Sequence, residues 1–288
     1  MTGAVVSKGL GPRLVAEDIA IGYSGGRLVS DGLDLVIDDG SFTVIVGPNA
    51  CGKSTLLRAL TRLLPPVRGR VLLDGKAIAD HPAKAVAREI GLLPQSSIAP
   101  DGITVRDLVA RGRFPHQGLL RQWSPHDQQV TDAAMERTRV DDLADRFVDE
   151  LSGGQRQRVW LAMALAQETS IVLLDEPTTY LDIAHQVEVL ELCRVLNEEE
   201  GKTIVAVLHD LNQACRYAHT LIAMKDGHVI GSGAPHDVLT EELVREVFGV
   251  DALVTADPVT GTPLMLPRVG PRSPRPATTG DAAVVITK

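Results

Sequence analysis

Short apolar runs separated by polar stretches give the first outline of the chain. Four runs rich in aliphatic and β-branched residues predict buried strands at 42–46, 90–95, 171–174 and 203–208. Runs that are apolar on both faces are typical of a parallel sheet covered by helices on both sides. Because helix-forming segments alternate with these strands, we predict an α/β fold with a doubly wound parallel core.

Other segments alternate between apolar and polar residues, as strands with one exposed face do. Residues 14–21 and 33–37 predict an antiparallel β subdomain ahead of the first buried strand, and 71–73 predicts a further strand closed by a turn. Later in the chain, 221–224 and 228–230 flank a turn sequence and predict a hairpin.

The stretch 96–150 has a different character. Helical segments are predicted around 105–111, 127–137 and 141–145, with an irregular connection at 112–117. We therefore predict a helical subdomain inserted into the α/β core.

Helices are also predicted after this insert. Ser152 can cap a helix that begins near Gly154 and continues to Leu165. An amphipathic helix is predicted at 182–197, and shorter helical pieces at 235–248.

Composition suggests the limits of the folded region. Residues 1–12 are small and Gly-rich and are expected to be flexible, and the Pro-rich stretch 266–288 is expected to be disordered. One folded domain at 13–265 accounts for the remainder.

Charge and cysteine content argue against some classes of protein. A formal net charge of −8 provides no global basic field for binding nucleic acid. Three scattered cysteines do not suit a disulfide framework, so a reducing compartment is expected. The sequence has no signal-peptide pattern and no apolar run near the ~18 residues that span a bilayer, so we expect any membrane association to come through a partner.

A glycine-rich loop connects the strand at 42–46 to the helical segment at 55–60. Its spacing is that of a phosphate loop, in which backbone N–H groups and a helix N-terminus surround phosphate. Lys53 is predicted to reach the β- and γ-phosphates, and the Ser54 hydroxyl to bind Mg²⁺. We also expect Cys51, among inward-pointing amides, to have a depressed thiol pKa and high reactivity. The predicted nucleotide-binding residues of this loop are Gly47, Pro48, Asn49, Ala50, Cys51, Gly52, Lys53, Ser54 and Thr55.

Polar residues directly follow three other predicted strands, at the sheet edge where α/β proteins bind ligands. Asp175 is the expected acidic partner of Mg²⁺, and Glu176 beside it could polarise an attacking water. Gln95 could reach Mg²⁺ or the water, and His209 could hold the γ-phosphate. Taken singly, the acids could also be solvated turn residues and the histidine a structural one.

The pentapeptide Leu151-Ser152-Gly153-Gly154-Gln155 lies twenty residues before the strand that ends in Asp175-Glu176. With the phosphate loop, it makes the chain resemble the ATP-binding cassette family over about residues 13–265. The resemblance implies a P-loop NTPase core with a parallel sheet, an N-terminal antiparallel β subdomain and an inserted helical subdomain. It also implies ATP and Mg²⁺ as ligands and ATP hydrolysis as the activity.

The same resemblance implies roles for individual residues. Tyr23 matches the aromatic residue that stacks on adenine, although a lone tyrosine is as often part of a core. Ser152, Gly153, Gly154 and Gln155 match the signature that meets the γ-phosphate bound by the other subunit, and Leu181-Asp182 matches the loop that crosses the dimer interface. The implied catalytic residues are Glu176, His209 and Gln95, and the implied Mg²⁺-binding residues are Ser54, Gln95 and Asp175.

A finer resemblance, to importers of ferric siderophores, related iron complexes or corrinoids, rests on three softer patterns at 111–116, 178–186 and 257–263. It implies the ATPase subunit of a bacterial-type importer, placed peripherally at the cytoplasmic face of the cell membrane. The implied partners are a second cassette subunit, most simply a second copy of this chain, integral-membrane permease subunits and, indirectly, an extracytoplasmic substrate-binding protein. The permease is expected to dock in a groove lined by residues near Gln95 to Arg113.

Two alternatives stay open on the sequence. One is a corrinoid or haem importer ATPase, which differs only in the cargo of its transporter. The other is a soluble cassette ATPase outside transport. The DNA-repair type needs long coiled-coil heptads and the translation type carries two cassettes in one chain, and this sequence shows neither pattern.

Overall fold

The structure is a computed structural model that describes residues 11–23, 27–95, 98–118 and 123–268. The strands are β1 (Pro12–Gly22), β2 (Leu28–Asp38), β3 (Phe42–Val46), β4 (Arg68–Leu73), β5 (Lys76–Ala77), β6 (Ile90–Leu93), β7 (Ile171–Asp175), β8 (Thr203–Val207), β9 (Thr220–Lys225), β10 (His228–Gly233), β11 (Ala252–Ala256) and β12 (Pro263–Pro267). The α-helices are α1 (Lys53–Leu60), α2 (Ala83–Glu89), α3 (Val105–Ala110), α4 (Pro125–Arg137), α5 (Gly153–Leu165), α6 (Ile183–Glu198), α7 (Leu211–Tyr217), α8 (Pro235–Val238) and α9 (Glu241–Phe248). Turns of 3₁₀-helix lie at Ile78–Asp80, Arg111–His116, Asp141–Leu143 and Val148–Glu150.

A six-stranded sheet forms the core, in the order β10-β9-β3-β8-β7-β6. All pairs are parallel except β9 with β10, which form the predicted hairpin. Every residue of β3, β7 and β8 is buried, as their apolar composition on both faces requires. The prediction of a parallel core is confirmed.

An antiparallel sheet of order β2-β1-β4-β5 covers one side of this core. The sequence predicted three of these strands, and the two-residue strand β5 completes the sheet. Apolar residues of β1 and β2 pack with Leu56, Leu57 and Leu60 of α1 and with one face of the core strands. The helix that follows the phosphate loop is therefore enclosed between the two sheets.

The opposite face of the core sheet packs against α5, α6, α7 and the helical insert. Within the insert, α3 and α4 match the prediction, but 141–145 contains only a short 3₁₀ turn, and 111–116 is 3₁₀-helical rather than irregular. Short segments of this kind carry too few turns for hydrophobic periodicity to distinguish them.

Several elements were not predicted from the sequence, namely α2, α7 and the hairpin β11–β12. The sequence predicts that the folded domain ends at residue 265. In the structure β12 continues to Pro267 and pairs with β11 along its whole length. At the other end, β1 already begins at Pro12. The flexibility expected for the first residues and the disorder expected after 268 concern segments outside the described residues.

Arg113 anchors the helical insert to the end of α5. Its side chain is 1 % exposed, and its Nε donates to Asp127 Oδ1 at 2.9 Å. Its Nη1 donates to the Ala166 carbonyl at 2.8 Å and to Glu168 Oε2 at 2.7 Å. Burial alone would raise the pKa of Asp127, but hydrogen bonds from Ser124 and Arg113 outweigh it and lower that pKa to about 2.

We expect Arg113→Met to destabilise the protein by about 3–5 kcal/mol, because it leaves the buried Asp127 carboxylate without its cation. Urea unfolding followed by circular dichroism measures this change. Arg106→Gln is the matched control, since it breaks the exposed pair with Asp132 and should cost about 0.5 kcal/mol. The ion pair stabilises the fold above the unfolded pKa of Asp127 and is lost as pH falls through its lowered folded value. The difference between wild type and Arg113→Met should therefore shrink between about pH 4 and pH 2, and a difference independent of pH would contradict this assignment.

Candidate functional site

The phosphate loop bends sharply at the end of β3. A Cβ atom on Gly47 would lie 2.2 Å from the Met224 carbonyl oxygen of the neighbouring strand β9, so no larger residue fits there. Gly52, at the N-cap of α1, has φ of 106°, a value that glycine adopts easily and other residues rarely do. Both glycines of the motif are thus explained by backbone geometry.

Lys53 lies inside this loop with its side chain buried. Its Nζ donates to the carbonyl oxygens of Gly47 and Pro48, both at 2.8 Å. Carbonyl oxygens are neutral acceptors, so the positive charge of the ammonium is not cancelled. Lys53 is the first residue of α1, so its charge adds to the positive end of the helix dipole, and the two together attract an anion.

Ser54 of α1 and Asp175 at the end of β7 are brought together. The Ser54 hydroxyl donates to Asp175 Oδ1 at 3.0 Å, and Asp175 is 2 % exposed. Burial raises the pKa of Asp175, and the nearby Glu176 adds to this rise, while the Ser54 hydrogen bond opposes it. A buried carboxylate beside a hydroxyl, with no salt bridge among the described residues, is a donor set that a hard cation such as Mg²⁺ would stabilise.

Glu176 directly follows and faces His209. The Nε2 atom of His209 lies 2.7 Å from Glu176 Oε1, and the Thr179 hydroxyl donates to Glu176 Oε2 at 3.3 Å. The backbone of Glu176 has φ of 56°, an uncommon value for a residue with a side chain. Such strain is found often at functional sites.

These groups surround one cavity of about 400 Å³. Its walls unite six of the nine predicted loop residues with Gln95, Glu176 and His209 from the other strand ends, whereas Gly47, Pro48, Cys51 and Asp175 do not line it. Val29 from β2 also lines the cavity, and sequence reasoning did not single it out. The lining residues are Val29, Asn49, Ala50, Gly52, Lys53, Ser54, Thr55, Gln95, Glu176 and His209.

Tyr23 lies next to this cavity rather than in its wall. Its hydroxyl is 3.4 Å from the Thr55 hydroxyl and accepts a hydrogen bond from Arg58 at 2.9 Å. The ring is 48 % exposed, so a face remains open to a planar ligand. Tyr23 therefore lies beside α1 and the cavity, and its stacking on adenine stays a prediction.

The predicted signature forms a separate feature. Ser152 caps α5, its Oγ accepting from the Gln155 N–H at 3.3 Å while Gln155 Oε1 accepts from the Ser152 N–H at 3.1 Å. Tyr180 and Leu181 pack on the two glycines, 3.5 Å and 3.3 Å from where Cβ atoms would lie. A cavity of about 610 Å³ at this surface shares no lining residue with the cavity at the phosphate loop, among the residues that the structure describes.

Cys51 does not have the environment expected from the sequence. Its side chain is only 4 % exposed and lies under the loop, where a Cβ on Gly47 would approach its Sγ to 2.9 Å. Burial raises the pKa of the thiol and outweighs the opposing effect of the Lys53 charge. The expectation of an activated thiolate is therefore wrong, because the inward-pointing amides do not compensate for desolvation.

A P-loop NTPase core, a helical insert and an N-capped Ser-Gly-Gly signature define a nucleotide-binding cassette. The ABC transporter family matches residues 30–179, which is more than half of the chain. The protein belongs to the ABC transporter family and is an ABC-type ATPase that binds ATP.

Individual relatives show how far the similarity extends. The chain is 55 % identical over 251 residues to the probable siderophore transport system ATP-binding protein YusV of Bacillus subtilis, covering 87 % of this chain and 91 % of that protein. It is 54 % identical over 255 residues to the ferric enterobactin transport ATP-binding protein FepC of Escherichia coli, covering 88 % and 94 %. The cobalamin import ATP-binding protein BtuD of Halobacterium salinarum is 43 % identical, covering 84 % of this chain and 60 % of that protein.

Solved structures agree with this placement. A metal-chelate type ABC transporter in an inward-facing conformation superposes with a TM-score of 0.76 at 28 % identity, covering 90 % of this chain and 98 % of that chain. The dimeric structure of a bacterial ABC transporter cassette gives a TM-score of 0.70 at 29 % identity, covering 77 % and 98 %.

We expect alkylation of Cys51 in the folded protein to be slow, because burial keeps the thiol protonated and shielded from reagent. Iodoacetamide labelling at neutral pH, followed by peptide mass spectrometry, should show a rate at least about tenfold below that in denaturant. The buried Cys193 and Cys215 are internal controls that react only on unfolding. Rapid labelling of Cys51 that Mg-ATP blocks would restore the original expectation.

Proposed function

We propose that the protein is the ATP-hydrolysing subunit of an importer for ferric siderophore-like iron complexes. The observation that carries this proposal is an identity of 54–55 % over 87–88 % of the chain to relatives named for siderophore and ferric enterobactin transport. The lower identity to the cobalamin import protein disfavours the corrinoid alternative. No helix in the described segments is long and apolar enough to cross a membrane. Because the relatives are named as ATP-binding proteins of transport systems, we propose integral-membrane permease subunits as partners.

The residues around the phosphate-loop cavity have the chemistry for binding and cleaving ATP. The backbone N–H groups of residues 49–52 and the Lys53 ammonium would hold the phosphates, and Tyr23 would stack on adenine. Ser54, Asp175 and Gln95 would hold Mg²⁺, which supplies positive charge to the phosphate oxygens when bound. Gln95 supports this grouping in the structure, because its backbone N–H hydrogen-bonds to the Asp175 carboxylate.

Glu176 is placed to act as the general base. Its carboxylate would accept a proton from water as the water oxygen bonds to the γ-phosphorus and the bond to the leaving ADP oxygen breaks. His209, at 2.7 Å, orients this carboxylate and faces the same cavity. Thr179, a residue of the softer pattern at 178–186, holds the second carboxylate oxygen.

A head-to-tail homodimer would bring the signature to the phosphates. Ser152 and the N–H groups of Gly153 and Gly154 begin α5 and can bind an anion, but they open on a cavity separate from the phosphate loop of the same chain. Tyr180 and Ile183, next to this cavity, are 80 % and 79 % exposed. Large exposed apolar side chains beside an unused anion site favour burial against a second cassette, the most direct candidate being a second copy.

We expect Glu176→Gln to retain ATP binding and to lose about 100-fold or more of hydrolysis, because an amide accepts a proton poorly. Phosphate release measures hydrolysis, and size-exclusion chromatography with ATP should show accumulation of a dimer. Glu188→Gln, a change at a half-buried glutamate of α6 that pairs with Arg139 and lines neither cavity, is the matched control and should be silent. Hydrolysis by Glu176→Gln at the wild-type rate would refute the catalytic assignment.

The transport proposal itself is tested in cells. Deleting the gene should abolish uptake of a radioactive ferric siderophore where no other cassette substitutes, and wild type but not Glu176→Gln should restore it. Cobalamin uptake in the same strains distinguishes the corrinoid alternative. Unchanged uptake of iron complexes after deletion would contradict the proposal.

An apolar groove beside the helical insert is our candidate for the permease. It has a volume of about 830 Å³ and extends from Pro94 and the 95 %-exposed Ile98 across α1, α2 and α5. Gln95 lines an adjacent cavity that shares Pro94 and Trp160 with this groove. The sequence predicts a docking groove lined by residues from near Gln95 to Arg113. Arg113 is instead buried within the insert, and Arg111 does not line the groove.

We expect Ile98→Asp to reduce binding of the permease and iron-complex uptake by about tenfold, because a desolvated carboxylate in an apolar contact is unfavourable. ATP hydrolysis by the isolated subunit should be unchanged. Val36→Asp, at a 51 %-exposed site on β2 that does not line the groove, is the matched control. Wild-type complex formation by Ile98→Asp, measured by co-purification with the permease, would exclude this groove as the docking site.

A further inference from the structure

The helix α7 begins two residues after His209 and follows it through a very short connection. Asp210 caps the helix, its Oδ1 accepting from the N–H groups of Asn212 at 2.8 Å and Gln213 at 3.0 Å. On the other side of His209, the Leu208 N–H donates to the Ile45 carbonyl at 3.2 Å. The position of α7 therefore constrains the backbone of His209 directly.

The hairpin β11–β12 holds one face of α7 by two polar contacts. The Asn212 side chain donates to the Met265 carbonyl at 3.2 Å and accepts from the Met265 N–H at 2.7 Å, so it pairs with β12 as a strand would. One turn along the same face, Arg216 Nη2 lies 2.7 Å from Asp257 Oδ2. Two contacts on one face fix both the rotation and the position of a two-turn helix.

Asp257 makes the hairpin end a rigid anchor. It is 8 % exposed, and its Oδ1 accepts from the N–H groups of Val259 at 2.8 Å and Thr260 at 3.3 Å. These backbone hydrogen bonds, with the Arg216 contact, hold the pKa of Asp257 below its usual range. Asp257 thus stabilises the turn with one oxygen and binds α7 with the other.

An adjacent face of α7 is bound to α6. Gln213 donates to Gln186 at 3.2 Å, and the Tyr217 hydroxyl donates to Glu191 at 2.9 Å. The apolar side chains of Leu211 and Ala214 are buried in the core. Since α7 is held between α6 and the hairpin, loss of the hairpin contacts would free one side of it.

We propose that Asn212, Arg216 and Asp257 are positioning residues for ATP hydrolysis, acting through α7 to hold the His209 ring against Glu176. None of the three lines the phosphate-loop cavity, so they touch neither water nor phosphate. This inference rests on the proposed role of Glu176 as the base. It gives the 257–263 pattern a function in the ATPase itself rather than in recognition of cargo.

The double variant Asn212→Ala/Arg216→Gln removes both contacts from α7 and leaves the hairpin turn intact. We expect its kcat to fall about tenfold, while KM for ATP stays within about twofold, because a small misplacement of a catalytic group affects the reaction more than binding. Arg245→Gln is the matched control, since it breaks the exposed 2.9 Å contact between α9 and Asp251 at the foot of the same hairpin. Its kcat should equal that of wild type.

A double-mutant cycle with His209→Ala separates positioning from loss of stability. If Asn212 and Arg216 act through His209, the double variant Asn212→Ala/Arg216→Gln should change the residual kcat of His209→Ala by less than about twofold. In ¹³C-histidine NMR spectra, the His209 signal can be identified by its loss in His209→Ala. Its chemical shift should change in Asn212→Ala/Arg216→Gln. Asp257→Asn, which keeps an oxygen acceptor for the turn, should give a smaller change in the same direction.

The proposal would be overturned by a wild-type kcat in Asn212→Ala/Arg216→Gln. It would also be overturned if this double variant reduced kcat equally in wild type and in His209→Ala. A normal His209 signal in the double variant would overturn it as well. Failure of the proposed function would give a different result. Glu176→Gln would then hydrolyse ATP at an undiminished rate, with or without the contacts of Asn212 and Arg216.

Discussion

The register of three parallel strands is the constraint on which the site depends. Ile45 of β3 and Asp175 of β7 both pair with Val207 of β8. The chain therefore leaves all three strands at the same level, which brings the phosphate loop, Glu176 and His209 together. A slip of one residue would move a strand end by about 3.3 Å and turn its side chains to the opposite face. Complete burial of β3, β7 and β8 prevents such a slip, so apolar packing maintains the polar geometry.

The parts of this arrangement that follow from local chemistry could be predicted from the sequence. Continuous apolar runs identify parallel strands, and the glycines of the phosphate loop and the Ser152 cap are short-range signals. The environment of Cys51 could not be predicted, because the core cluster that it joins includes residues far along the chain, such as Met224 of β9. The buried pair of Arg113 with Asp127 likewise depends on how α3, α4 and α5 pack. Elements as short as α7, or as weakly apolar as β11 and β12, carry little periodicity to detect.

The phosphate-loop cavity and the signature cavity are separate. A single chain therefore holds one half of a nucleotide site at each of them. The capping box satisfies the N–H groups of Ser152 and Gln155 internally, and Gly153 and Gly154 line the adjoining cavity. Tyr180 and Leu181 pack directly on these glycines. Since Glu176 lies four residues before Tyr180, the base and the signature surface are connected by one short loop. A contact made at this surface can therefore affect the carboxylate without passing through the core.

The site binds polyanions in a chain whose net charge is −8, and short-range groups account for this. Surface charges farther away than the ~8 Å Debye length are largely screened at physiological salt, whereas the buried Lys53 is not. Lys53 is bonded to carbonyl oxygens rather than to a carboxylate, so no ion pair has to break before it meets phosphate. The two acids nearby have their own partners, Ser54 for Asp175 and His209 for Glu176. Lys53 and the two acids are thus not paired with each other, and this allows the site to favour phosphate and a cation at once.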